Sequence, residues 1–444
     1  MKTNFLLFKT KFIIALMSVF IFASCDDDDS GPDAVTNSFT VTISNVQTPK
    51  DLFQSGVFNT PIGDSSPGPA TPGKSYEFSF QAGVGHRLSF ATMYVQSNDL
   101  FFAPEAEGIA LYDANGAPIT GDITSMISLW DAGTEVNEEP GTGANQAPRQ
   151  SGADTGTDEG GTVELIENVN DGFTYPSVSD AIAVTIANDG TMFTVTIENI
   201  SGGSIVPSPL APGGFAIHAS GSPLFVEGDA DFGNGLEAVA EDGDATALGM
   251  SLSGETGLIT PFAPGAYAVH STGMPLFISG QADLGTGLEA VAEDGNPATL
   301  ASSLSSEGIV SASGAFNTPM GASAPAPIFP GESYQFTFEA TSGDFLSLAT
   351  MFIQSNDLFY AFGDSGLALF DANGNPVTGD VTASLSLWDG GTEVNEFPGA
   401  GPNQAPRQAG ANTGTDETNN VQLVNDSFTY PSLSSTISVT ISVN

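Results

Sequence analysis

The chain has 444 residues, enough for two or three domains, and 40% of them are apolar, which supports sizeable cores rather than wholesale disorder. It carries 52 acidic against 8 basic side chains, a net charge of −44. Such a polyanion is repelled by nucleic acid and by anionic lipid and attracts cations; dense surface carboxylate also serves solubility in a salty habitat.

Lys2, Lys9 and Lys11 lead into an apolar stretch from Phe12 to Phe22, too short to span a bilayer as a mature helix and suited to a signal-peptide core. The segment ends "FASC", small residues before the single cysteine, Cys25, which has no partner for an intramolecular disulfide. This pattern resembles the lipobox of bacterial lipoproteins and implies a signal over residues 1–25 ending at a lipidated Cys25. "CDDDDSGPD" follows, and four Asp beside a lipid anchor resemble the acidic surface-export tag of Bacteroidota lipoproteins. The expectation is an outer-membrane, lipid-anchored protein exposed on a Gram-negative cell, touching the membrane only through its anchor. Residues 26–37 read as a flexible acidic tether.

The rest is organised by internal repeats. Residues from Ser55 ("SGVFNTPIG") to Glu159 match those from Ser313 ("SGAFNTPMG") to Glu417 at an offset of 258. "FTVTISN" at Phe39 matches "FTVTIEN" at Phe193 at an offset of 154, so the second copy holds 104 extra residues after its first strand. They are two units of 52, "SPLAPGGFAIHASGSPLFVEGDADFGNGLEAVAEDG" from Ser208 and its counterpart from Thr260.

"FTVTISN", "SYEFSFQA", "LSFATMYVQS", "GIALYD", "SMISLW" and "AIAVTIA" alternate or run apolar over five to ten residues, as strands do, and "DANG" at 113–116 and 371–374 signals a turn. The expected fold is all-β: two antiparallel β-sandwiches, over 38–188 and 191–444, separated at "NDG" (188–190). The second would carry the tandem insert 208–311, whose helical signal is "GLEAVAEDG" at 235–243 and 287–295.

The chemistry concentrates in two acidic phrases per copy. "QSNDLF" and "SLWDAGTEVNEEPG" place Asp99 at the end of one strand, Asp131 at the end of another, and Glu135 in the loop that follows. The second copy repeats them as Asp357, Asp389 and Glu393. Antiparallel strands can bring these carboxylates to one point, where a hard cation such as Ca²⁺ would find the oxygens it needs. A bound cation would neutralise their repulsion and stabilise the loops. Gly133, and Gly390 with Gly391, let the backbone turn tightly there, and Trp130 is expected to anchor the loop in the core. Arg149 and Arg407, in "NQAPRQ", are expected to form a salt bridge to the acidic loop or to recognise an acidic partner.

These phrases resemble the amino-terminal domain of F-spondin and its bacterial relatives, where the pattern is close to Ser-Pro-Asp-Trp and Trp-Asp-Ala-Gly-Thr-Asp. The resemblance covers nearly all of both copies and implies an eight-stranded antiparallel sandwich with Ca²⁺ held by Asp99, Asp131 and Glu135, and by Asp357, Asp389 and Glu393. It departs from the family in three respects: Glu stands where Asp is frequent, Asn where Pro precedes the first Asp, and the animal domain's cysteines are absent. It implies a role in adhesion or in contact with an extracellular protein or glycan. The alternatives are a glycan-binding module for nutrient capture that needs no metal, and a purely structural surface protein.

His218 and His270 occupy matching places in the inserts, too sparse for a transition-metal site and expected to be structural. "DFGNGLE" lacks the preceding strand and the Lys of a phosphate loop. No thiol beyond Cys25 and no Ser-His-Asp set points to an enzyme.

Overall fold

A two-residue turn decides how the chain is divided. The computed structural model describes residues 36–444, so the signal, Cys25 and most of the tether lie outside the described residues. Ile182–Asp189 and Met192–Asn199 pair as a hairpin in which Asp189 faces Met192 across Gly190, at φ +63°, and Thr191. An Asp-Gly step between alternating strands is a strong hairpin signal, because glycine takes the positive φ that a two-residue loop demands. "NDG" therefore lies inside a sandwich and not between two.

The division expected at 188–191 is corrected accordingly. Met192–Asn199, the "FTVTIEN" strand, pairs on its far side with Ser75–Gln81 of the first copy. Its twin Thr36–Asn45, the "FTVTISN" strand, lies between Ser333–Thr341 and Ile437–Val443 of the second copy. The inserts are shared out too: Leu210–His218 enters between Leu52–Phe58 and Arg87–Tyr94, and Gly265–His270 between Val310–Phe316 and Phe345–Met351. The first sandwich is thus continuous over 52–257. The second is residues 258–444 closed by a strand from the start of the described chain, which begins at Thr36, inside the expected tether.

Two buried asparagines show the exchange in detail. Asn199 Nδ2 donates to the carbonyls of Ala70 (2.7 Å) and Ser208 (2.8 Å), within the first sandwich. Asn45 Nδ2 donates to the carbonyls of Thr260 (3.0 Å) and Ile328 (3.4 Å), the corresponding positions of the second. The two chain crossings between sandwiches run side by side: Leu52 N–H donates to Glu255 O (3.0 Å) and Gly257 N–H to Leu52 O (2.9 Å).

Each sandwich has three layers. A four-stranded antiparallel sheet packs on a seven-stranded one, and a helix pair covers the far face of the larger sheet. In the first sandwich the larger sheet runs Leu52–Phe58, Leu210–His218, Arg87–Tyr94, Leu100–Pro104, Ile127–Asp131, Glu164–Leu165, with Ile109–Ala110 paired to Arg87–Tyr94. Being covered on both faces, its inner strands lose the in-out alternation: "LFFAP" is buried at every position. The smaller sheet, open to solvent on one side, keeps alternation, as in "SYEFSFQ". The expected all-β, antiparallel sandwich fold is the observed one.

The helices Leu236–Asp242 and Leu288–Asp294 form where "GLEAVAEDG" predicted them and bury Leu236, Val239 and Ala240, and Leu288, Val291 and Ala292. A second helix follows each, Thr246–Gly254 and Ala298–Ser306, seated by Leu248 and Leu252 and by Leu300 and Leu304. Their Ser, Thr and Gly content hid them from a propensity reading. Trp130 is fully buried, donates its indole N–H to Ala103 O (3.2 Å) and packs against Phe225 of the insert with ring centroids 4.8 Å apart. Trp388 and Phe277 repeat the contact at the same distance. The tryptophan thus joins sheet to helical cap, each such fully buried side chain contributing roughly 1.5–3 kcal/mol.

Candidate metal centre

Leu100 faces Asp131 across the ladder, so Asp99 stands beside the loop that leaves Asp131. The loop wraps around that carboxylate. Asp99 Oδ2 accepts the backbone N–H groups of Thr134 (2.9 Å) and Glu135 (3.1 Å) and the Thr134 hydroxyl (3.3 Å). Asp131 Oδ1 accepts Gly133 N–H (2.7 Å), and its Oδ2 accepts Asn137 Nδ2 (2.5 Å). Gly133 sits at φ +68°, and a Cβ there would meet the Thr162 backbone at 2.5 Å, so the turn requires glycine. The second copy reproduces the set on Asp357 from Thr392 (2.9 Å) and Glu393 (3.2 Å), and on Asp389 from Gly391 (2.8 Å) and Asn395 (2.9 Å).

One oxygen of each aspartate pair is left over. Asp99 Oδ1 and Asp357 Oδ1 are buried and have no hydrogen-bond partner. Burial, followed by the neighbouring Asp131, holds the Asp99 carboxyl well above the ordinary range; burial and Asp389 push Asp357 up to about 7. A buried carboxylate oxygen without a donor or a cation carries an uncompensated desolvation cost.

Glu135 and Glu393 do not complete the expected triads with their side chains. Their backbones touch Asp99 and Asp357, but the carboxylates turn to another cluster. Asn98 orients Glu135: its Nδ2 donates to Glu135 Oε2 (3.2 Å) while its Oδ1 accepts Glu138 N–H (3.0 Å). There Glu135 meets Asp154, from the following loop, and Glu241, from the insert helix, with one ligand oxygen of each within 4.8 Å of the others. Among the described residues this is the group of three whose spacing could hold a metal ion. The loop also roofs the glutamates, since a Cβ on Gly156 would lie 2.1 Å from Glu135 Oε2 and one on Gly414 2.2 Å from Glu393 Oε2.

Glu241 and Glu293 escaped the sequence reading because they sit in a repeat read only as helix. Both are buried on their helices. Burial pushes Glu241 up to about 7 and Glu293 up to about 8; the Thr134 and Thr392 hydroxyls pull the other way, and Glu135 and Glu393 add repulsion. Asp154 was hidden because it differs between copies, Asn412 standing in its place. Both occupy left-handed backbone, at φ 52° and 50°.

The expected arginine salt bridges are corrected. Among the described residues the ion pairs are Lys74–Asp64 and Arg87–Glu107. Arg149 donates to Gly143 O (2.6 Å), Gln96 Oε1 (2.9 Å) and Gln146 Oε1 instead. Arg407 donates to Gly401 O (2.8 Å), Gln354 Oε1 (3.0 Å) and Gln404 Oε1 (2.6 Å). These arginines tie loops through neutral oxygens. His218 is buried, with Nε2 at 2.9 Å from Ser89 Oγ and Nδ1 at 3.0 Å from Ser220 O. His270 does the same with Ser347 (2.9 Å) and Thr272 O (3.2 Å). The carbonyls make Nδ1 the donor and leave Nε2 to accept from serine, a structural arrangement.

Compared with protein-family models and with curated proteins, the chain matches none. Among the described residues no helix is long and apolar enough to cross a membrane.

Proposed function

We propose that the chain is a lipid-anchored cell-surface protein of two spondin-type sandwiches, each holding Ca²⁺ at its acidic loop end, and acting in adhesion or in contact with an extracellular protein or glycan. The observation that carries the calcium reading is the bare, buried Asp99 Oδ1, repeated at Asp357 Oδ1, beside Asp131 and Asp389. The donor set is all oxygen, which suits a hard cation and excludes none of the geometry Ca²⁺ tolerates. The loop N–H groups occupy Oδ2 of Asp99 and of Asp357 and leave Oδ1 of each bare. A cation there would neutralise the two aspartates of each pair and fix the loop that follows. The anchor and the adhesive role rest on the lipobox, the acidic tag and the family resemblance in the sequence. Extracellular calcium modules work at ~10⁻⁴–10⁻³ M, a level that keeps such sites filled outside a cell.

Calorimetric titration of the chain from Asp26 with Ca²⁺, with melting in calcium and in chelator, tests this. Saturable binding and a raised melting temperature, both lost in Asp131→Asn/Asp389→Asn, are expected. Absence of heat with identical melts overturns it and leaves glycan capture without metal to be screened.

A further inference from the structure

We propose that the insert helices supply cation ligands: Glu241 joins Glu135 and Asp154 in a divalent-cation site of the first sandwich, and Glu293 joins Glu393 in the equivalent site of the second. This deepens the calcium reading, from which it borrows the cation, but it names different ligands from the aspartate pairs.

Three observations meet here. The first is spacing: Ca–O distances of ~2.3–2.6 Å place two ligands of one ion within about 5 Å of each other, and the oxygens of Glu135, Asp154 and Glu241 already satisfy that. The second is a pair of bare oxygens on the corresponding glutamates of the other copy. Glu293 Oε2 and Glu393 Oε1 have no hydrogen-bond partner, and each residue is only 2% exposed. Asp357 Oδ1, in the same sandwich, is bare as well. Buried like charges do not gather without donors unless something positive lies between them or they stay protonated. The third is provenance. The glutamates of each site come from a sheet-edge loop and from the helical cap, which Gln150 and Gln408 already tie together by donating to Asp242 (2.6 Å) and Asp294 (3.0 Å), so a shared ion would strengthen the latch of cap to loop.

The copies differ in a way that grades the sites. In the second, Asn412 replaces Asp154 and binds the insert helix instead, its Nδ2 donating to Glu289 Oε1 (3.4 Å) and its N–H to Asp294 Oδ1 (3.2 Å). That site has one carboxylate fewer and is the weaker, since charge count tunes affinity for hard cations.

The test uses the chain from Asp26, Ca²⁺ titration by calorimetry, and melting in calcium and in chelator. Glu241→Gln/Glu293→Gln is compared with Asp131→Asn/Asp389→Asn. The expected result for the glutamine variant is at least a tenfold loss of affinity in part of the binding. Its melting temperature should exceed the wild-type value in chelator, because repulsion is relieved, and fall below it in calcium. A role in packing alone would move both melts in one direction. Unchanged binding in the glutamine variant overturns the proposal while the aspartate reading stands. Binding that survives in the aspartate variant and fails in the glutamine variant upholds it and removes the aspartate reading. No binding by the wild type removes both.

Discussion

The two sandwiches are built from the same parts, yet one is self-contained and the other is not. The first takes its inner strand Met192–Asn199 from a hairpin within its own span. The second builds the corresponding antiparallel pair from Ile437–Val443 and Thr36–Asn45, which lie about four hundred residues apart in sequence (Phe39 faces Val443). Identical hydrogen bonds by Asn199 and Asn45 show that the final packing does not record which route was used. What differs is the entropy of closure, which grows slowly with loop length and is here offset by a full ladder on both sides of the recruited strand.

Removing residues 36–45 should therefore break the comparison most severely. The second sandwich would lose the middle of its smaller sheet and its buried Phe39, Val41 and Ile43. Calorimetry and limited proteolysis should show that half unfolded, while the first sandwich, continuous over 52–257, keeps a cooperative melt. If both halves are lost, the crossings at 46–51 and 255–257 are structural to both.

A smaller effect is expected where the helical cap meets the tryptophan. Phe225→Ala removes the ring that packs tilted against Trp130 and edge-on to Phe101, at centroid distances of 4.8 and 5.3 Å. Large-to-small changes of this kind cost about 3–5 kcal/mol. Denaturant melts should show that loss in the first sandwich only, with Phe277→Ala giving the mirror result in the second. Equal loss in both halves from one substitution would show that the sandwiches unfold as one unit.

The smallest predicted effect separates the copies by pH. His86 stacks on Phe53 (4.6 Å) and accepts Gly83 N–H at Nδ1 (3.2 Å); its counterpart in the second copy is Asp344. Burial, then Arg407 and His218, push its pKa down to about 4 from the ordinary 6.5. A lowered folded value means that the neutral ring is favoured in the native state. Its contribution is present above about pH 6.5 and is lost as pH falls through about 4. Phe53 also lies 6.3 Å from Phe397 of the second sandwich, so this histidine sits at the joint between the two. The wild type should lose a few degrees of melting temperature relative to His86→Gln between pH 7 and pH 4.5; parallel melts would show that the ring is not held neutral.

Much was legible in the sequence. Alternation in "FTVTISN" and "SYEFSFQ", turns at "DANG", and helix at "GLEAVAEDG" fixed the local elements, because backbone sterics and side-chain period act over a few residues. The nearness of Asp99 and Asp131 was legible as well, although Asp99 sits in the bend before Leu100–Pro104 and not at a strand's end: in an antiparallel pair the start of one strand lies beside the end of its neighbour, here Leu100 beside Asp131. What local pattern could not settle was partnership. "FTVTISN" and "FTVTIEN" share one alternation and fit either sandwich equally, so only the tight Asp-Gly hairpin and the closed ladders decided which strand went where. The same holds for the second acidic cluster. Glu135, Asp154 and Glu241 are spread over more than a hundred residues, and nothing in their spacing announces that a helix folded onto a sheet will bring the last of them to the first. Charge meets charge there because apolar packing of Leu236, Val239 and Ala240 against the sheet sets where the helix lies, and that is a property of the assembled core.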